Sequence, residues 1–138
     1  MMTIIAVIPA RLASTRYPNK PMKPILRMPM IGHCFHRARF AEDLEDVYVA
    51  TCDQEIAEYI SSIGGQVVMT SNSHVRATER VAEALTNIEI ESERNIELII
   101  MIQGDEPLVN PETISEILRC FSDPSVNVAN VMTPIIGY

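Results

Sequence analysis

The segment PARLASTRYPNKP, from Pro9 to Pro21, carries Arg11, Arg16 and Lys20 in a chain whose formal net charge is −7. Guanidiniums grip phosphate oxygens with paired hydrogen bonds, and a lysine adds a compact charge that can follow a phosphate through a reaction. Ala10, Ala13 and Ser14 are small enough to let the backbone approach a ligand closely. Loop cations are often merely solvated; these gain weight from standing directly after an apolar run. A second such place is QGDEP, Gln103 to Pro107, where Gly104 lets the chain turn sharply and Asp105 and Glu106 supply carboxylates. Asp105 also suits a plain turn. As chemistry it is the candidate metal ligand, because magnesium accepts one or two carboxylates and takes substrate phosphates as further ligands.

The elements that must position these loops follow from hydrophobic periodicity. Short β-branched runs at Ile4–Pro9, Val47–Thr51, Gln66–Thr70, Glu97–Gln103 and Val126–Met132 predict five strands. Between them, Met30–Phe40, Gln54–Ile63, Thr78–Asn87 and Pro111–Phe121 show apolar residues near 3.6-residue spacing and predict four helices. Asn110 can cap a helix that opens with Pro111, and Gly64-Gly65 can end the helix that Asp53 begins. Repeated β-α-β units with strands as apolar as Leu98–Ile102 predict an α/β fold, a Rossmann-like, doubly wound and mostly parallel sheet covered on both faces. Right-handed crossovers with a reversal after the third strand would set the first and fourth strands side by side. The loops after Pro9 and Gln103 would then face one crevice, where open α/β sheets bind their ligands.

Composition narrows the function classes. A length of 138 residues with 47% hydrophobic content suits one compact domain, residues 1–138. Acidic residues outnumber basic ones, 18 to 11, which disfavours a nucleic-acid partner. The apolar N-terminus is too short to span a bilayer and lacks a basic leader, so no membrane partner and a cytoplasmic location are expected. Cys34, Cys52 and Cys120 form no CxxC pair and read as free thiols in a reducing compartment. His33 and His36 share a helix without an evident third ligand and are not read as a metal site. No glycine precedes Gly32, so neither GxGxxG nor the GxxxxGK[ST] phosphate loop is present.

The first loop resembles the PARxxSxRxPxKP loop of 3-deoxy-manno-octulosonate cytidylyltransferases, the CMP-Kdo synthetases, with Pro9, Ala10, Arg11, Ser14, Arg16, Pro18, Lys20 and Pro21 in register. QGDEPLV is similar to the same family, and HVRATERVAE, His74 to Glu83, resembles its HxSGTER segment through His74, Thr78, Glu79 and Arg80. The resemblance covers essentially the whole chain and implies the N-terminal portion of a longer, nucleotide-diphospho-sugar-transferase-type fold, here truncated. It implies transfer of CMP from CTP to a sugar acid with Mg2+, for lipopolysaccharide precursor synthesis, and a homodimer for the full-length family. By the same resemblance Pro9, Ala10, Arg11, Ser14, Arg16, Lys20, Thr78, Arg80 and Gln103 bind the nucleotide. The resemblance also implies that Arg11, Lys20 and Asp105 are catalytic, with Asp105 on the metal. Arg76 and Ala77 stand where the family usually has Ser and Gly, Arg27 where it has Gly, and Cys52 where it commonly has Asp. A CTP-binding remnant without turnover and an acylneuraminate cytidylyltransferase are the other readings.

Overall fold

The structure is a computed structural model that describes residues 2–137. Its elements in chain order are β1 (Ile4–Ala10), β2 (Pro24–Ile25), β3 (Met28–Pro29), α1 (Met30–Arg39), β4 (Asp46–Thr51), α2 (Gln54–Ser62), β5 (Gln66–Met69), α3 (Ala77–Ser92), β6 (Leu98–Met101) and α4 (Pro111–Arg119). Single 3-10 turns occupy Lys20–Met22 and Cys120–Ser122.

Four strands form one parallel sheet in the order β5-β4-β1-β6. The central strand β1 pairs on one side with β4, Ile5 opposite Asp46 through Ala10 opposite Thr51, and on the other with β6, Ile4 opposite Leu98 through Val7 opposite Met101. The first and fourth predicted strands are therefore neighbours, as the winding rule requires.

Successive strand side chains point to opposite faces, so each strand feeds two cores. Ala6, Ile8 and Ala10 of β1, with Val47 and Val49 of β4, bury against α1, α2 and α4 through Ile31, Phe35, Ile56, Ile60 and Ile114. Ile5, Val7, Tyr48 and Ala50 face the other way, onto Val81, Ala84 and Ile88 of α3. Each fully buried Ile or Phe contributes about 1.5–3 kcal/mol of transfer free energy. That burial on both faces is why the central strands β1 and β4 read as continuous apolar runs rather than as alternating ones, whereas the edge strands β5 and β6 are only partly covered.

The helix ends follow local chemistry. The Asn110 side chain accepts from Glu112 N at 2.9 Å with Pro111 in the first turn of α4. Gly64 takes φ 79° just after α2, a left-handed position that suits glycine. Helix α3 continues five residues past the expected Asn87, because Ile88 remains on its packed face and is 2% exposed; it stops where Glu93 turns left-handed at φ 53°.

Two expectations are corrected. Val126–Met132 is not a strand: it joins no ladder, and Val128, Val131 and Met132 are exposed. β-branched content reflects fitness for a pleated, half-buried surface, and here no neighbouring backbone or covering layer supplies one. Conversely, β2 and β3 form an antiparallel hairpin that periodicity misses, since each strand is two residues long. Its turn residues Leu26 and Arg27 both take left-handed backbone, φ 49° and 72°. Among the described residues no helix is long and apolar enough to cross a membrane.

A non-glycine residue in left-handed backbone costs about 1–2 kcal/mol. Arg27→Gly is therefore expected to raise the unfolding free energy by about 1 kcal/mol. Chemical denaturation of the two proteins measures this directly, and an unchanged midpoint would contradict the strained-turn reading.

Candidate functional site

At the carboxyl ends of β1 and β6 lies a cleft of about 320 Å³, within the range of small-molecule sites. Its floor is backbone. Ile102 N donates to Val7 O at 3.1 Å, extending the β1–β6 ladder one residue beyond β6. The following loop then presses onto β1: a Cβ on Gly104 would lie 2.8 Å from the Pro9 carbonyl oxygen. Only glycine permits that approach. The Cys34 thiol donates to Gly104 O at 3.5 Å from beneath, and burial pushes its pKa up to about 11, so it supplies no thiolate nucleophile at neutral pH.

The structure brings most of the expected side chains together. Pro9, Ala10, Arg11, Ser14, Arg16 and Lys20 line the cleft from the first loop, and Gln103 and Asp105 line it from the second. Lys20 Nζ stands 3.4 Å from Asp105 Oδ2, both side chains exposed, so the pair bridges the two loops at small energetic gain. Thr78 is not on this wall; it lies in the first turn of α3, exposed, because the helix directs that position outward. Arg80 does line the cleft, yet it is 3% exposed, and its Nη1 donates to Thr70 Oγ1 at 2.5 Å and Ser71 O at 3.2 Å. It thereby fixes the loop after β5 as well as presenting charge.

Five of the chain's 11 basic residues, namely Arg11, Arg16, Lys20, Arg76 and Arg80, share this one cleft, and Asp105 is the single carboxylate residue among those lining it. An acidic protein thus concentrates positive potential in one concave place, which is what attracts and holds a multiply charged anion.

Two positioning groups escape the sequence reading. Asp53, expected only to open α2, makes no side-chain cap; its Oδ2 accepts instead from Leu12 N at 2.8 Å, tying the end of β4 to the first loop. Nothing in its spacing foretells a partner 41 residues away. The carboxylate of Glu83 on α3 accepts from His74 Nε2 and from Ser71 N, at 3.0 and 3.2 Å for the latter, and so holds His74 on the cleft wall. The His74 hydrogen bond, then Ser71, keeps the Glu83 pKa below its ordinary value. His33 is accounted for outside the cleft, its Nε2 donating to Ile25 O at 2.7 Å and fastening the β2–β3 hairpin to α1.

The departures at 76 and 77 leave the backbone intact. Ala77 opens α3 at negative φ, so no glycine is needed, and Arg76 precedes it in extended backbone, φ −107°.

A doubly wound sheet with a cation-lined cleft at its switch point defines a Rossmann-like domain of nucleotide-handling type. A family model described as cytidylyltransferase matches residues 5–135, and the chain belongs to the cytidylyltransferase family. It is 40% identical over 120 residues to the 8-amino-3,8-dideoxy-manno-octulosonate cytidylyltransferase of Shewanella piezotolerans, covering 87% of this chain and 48% of that protein. The corresponding enzyme of Shewanella frigidimarina is also 40% identical, with the same coverage. Among solved structures, a CMP:2-keto-3-deoxy-manno-octonic acid synthetase complexed with CTP superimposes with a TM-score of 0.79 at 33% identity, covering 90% of this chain and 49% of that one. A cytidylyltransferase of Leptospira borgpetersenii shares the fold, with a TM-score of 0.74 at 23% identity, covering 91% and 51%. The chain spans about half the length of the curated relatives it matches.

Two substitutions probe this geometry. Gly104→Ala should destabilise the protein by about 1–3 kcal/mol, because backbone rather than a mobile side chain blocks the new methyl; a thermal melt equal to wild type would contradict the close approach. Glu83→Gln should cost about 1 kcal/mol at neutral pH. A depressed carboxylate pKa contributes stability above the unfolded value that is lost as pH falls through the folded one. The gap between variant and wild type should accordingly close in acid, and a pH-independent gap in denaturation free energy would refute the assignment.

Proposed function

We propose that this domain binds CTP and transfers its cytidylyl group to the anomeric hydroxyl of a 3-deoxy-manno-octulosonate-type sugar acid. The hydroxyl oxygen attacks the α-phosphorus, the bond to the β-phosphate oxygen breaks, pyrophosphate leaves and the hydroxyl proton passes to water. The observation that carries this reading is the convergence of Arg11, Arg16, Lys20 and Asp105 on one cleft at the switch point, in a chain of this family. Similarity to the CTP-complexed synthetase adds the choice of nucleotide.

Phosphoryl chemistry of this kind rests on positioning and charge neutralisation, and needs no covalent nucleophile. Arg11 and Arg16 would grip the phosphates, while Lys20 would meet the charge that grows on the leaving pyrophosphate. Pro9 and Ala10, on backbone fixed in the sheet, would hold the nucleotide beside Gln103.

The donor chemistry suits magnesium in one specific mode. No group of three or more His, Cys, Asp or Glu side chains is arranged to hold a metal among the described residues, whereas Asp105 alone faces the cleft as a carboxylate. One carboxylate plus substrate phosphates and water is how Mg2+ is commonly held at phosphate sites. When bound, the ion would neutralise phosphate charge and orient the leaving group. Asp105, released from Lys20 by the arriving phosphates, would hold it.

The relatives' names favour the 8-amino-3,8-dideoxy sugar acid over the simple 3-deoxy acid as acceptor. Calorimetric CTP titration with Mg2+ should find about tenfold or greater weakening in Lys20→Ala and Asp105→Asn, with the Asp105 effect vanishing when EDTA replaces the metal. Wild-type affinity in both variants would sink these roles. Pyrophosphate release measured with each of the two sugar acids decides the acceptor, and release with neither would leave a nucleotide-binding domain without this transfer activity.

A further inference from the structure

Arg76 occupies a position that the local structure disfavours for it. It is the N-cap residue of α3, with extended backbone at φ −107° and ψ 145°. Such positions prefer Ser, Thr, Asp or Asn, whose oxygens accept from the exposed N–H groups of the first turn. A guanidinium has no acceptor and cannot do this, and the Arg76 side chain makes no cap hydrogen bond. Its charge also lies at the positive end of the helix dipole, where anions are favoured and cations are not.

Nor does a carboxylate compensate. Among the described residues Arg76 forms no ion pair. Glu79, one turn along, spends Oε2 on the backbone N–H groups of Val75 and Arg76, at 3.3 and 3.2 Å. The residue is exposed, yet it lines the same cleft as Lys20, Arg16 and Arg11. Arg80, the neighbouring cation on α3, is already committed to Thr70 and Ser71, so Arg76 is the uncommitted guanidinium of that wall.

We propose that Arg76 is a polyphosphate-binding residue, reaching the anion's tail from the α3 side while Lys20 and the first-loop arginines hold it from the other. A polyanion in the cleft reverses both local penalties, since it supplies the acceptor oxygens that Arg76 lacks and the negative charge that the helix start favours. The ligand class is a nucleoside triphosphate or free polyphosphate rather than a monophosphate. The identity of the nucleoside rests on the function proposed above; the phosphate contact does not.

Arg76→Ser tests this with inorganic tripolyphosphate, CTP and CMP as calorimetric probes, beside a melt without ligand. Tripolyphosphate and CTP affinities should fall about tenfold and CMP affinity by less than about twofold, while the ligand-free melting temperature rises by about a few degrees as the cap is restored. Arg76→Lys should keep most of the affinity. Unchanged tripolyphosphate binding in Arg76→Ser, or a wild-type protein that ignores tripolyphosphate, overturns the proposal. Tripolyphosphate binding that needs Arg76 in a protein indifferent to CTP upholds it and removes the cytidylyl reading. CTP binding that needs Lys20 but not Arg76 does the reverse.

Discussion

The backbone contact between the loop after β6 and the end of β1 sets where everything else in the cleft can stand. Parallel pairing carries β6 alongside β1 as far as Val7, and Ile102 N extends the ladder by one more bond. Gly104 then lies so close to the Pro9 carbonyl that a single methyl would not fit. Because Pro9 stands in a strand buried on both faces and Ile102, two residues before Gly104, is itself buried, neither backbone can retreat without disturbing the core. Asp105 and Lys20 therefore meet across a fixed floor, though each is carried on its own exposed loop.

Charge distribution follows a similar logic of place over total. A net charge of −7 would repel a triphosphate at long range, and screening confines that repulsion to about 8–10 Å at ordinary ionic strength. Within the cleft the local field has the opposite sign, because five cations face one carboxylate. The Lys20–Asp105 pair tempers that field in the ligand-free cleft and costs little to break, being exposed on both sides. A weak pair is suitable there, since a strong one would compete with the anion.

How far the sequence reveals this depends on the range of the interactions involved. The four strands of the main sheet are legible as short apolar, β-branched runs, and all four helices because burial of one face imposes a 3.6-residue period on the chain. The β2–β3 hairpin is not, because its turn is Leu26-Arg27, where glycine or asparagine would have marked it. Val126–Met132 misleads for the converse reason: it has the composition of a strand but no ladder. At the site, the two cleft loops are legible as clusters of charge after apolar runs. On α3, Arg80 reaches the cleft and Thr78, two residues earlier, is turned outward by the helical repeat; the sequence shows that repeat but not which face of the helix meets the cleft.

The first loop must hold its shape without the means usual for phosphate-binding loops. Gly-rich loops reach their curvature through left-handed backbone, but no glycine precedes Gly32. Here the curvature is imposed from outside. Both backbone groups of Leu12 are bound, its N–H by the Asp53 carboxylate at 2.8 Å and its carbonyl by Asn19 N at 2.9 Å. Asn19 takes the one left-handed turn the loop needs, at φ 60°, a conformation asparagine tolerates. Asp53 is in turn fixed through its own N–H, which donates to the hydroxyl of fully buried Thr51 at 3.1 Å. A carboxylate bound to a single backbone N–H at the end of β4 thus does for this loop what glycines do elsewhere. The loop's side chains are thereby left free to carry charge: Arg11 and Arg16 stand at positions that a glycine-built loop would have to leave empty.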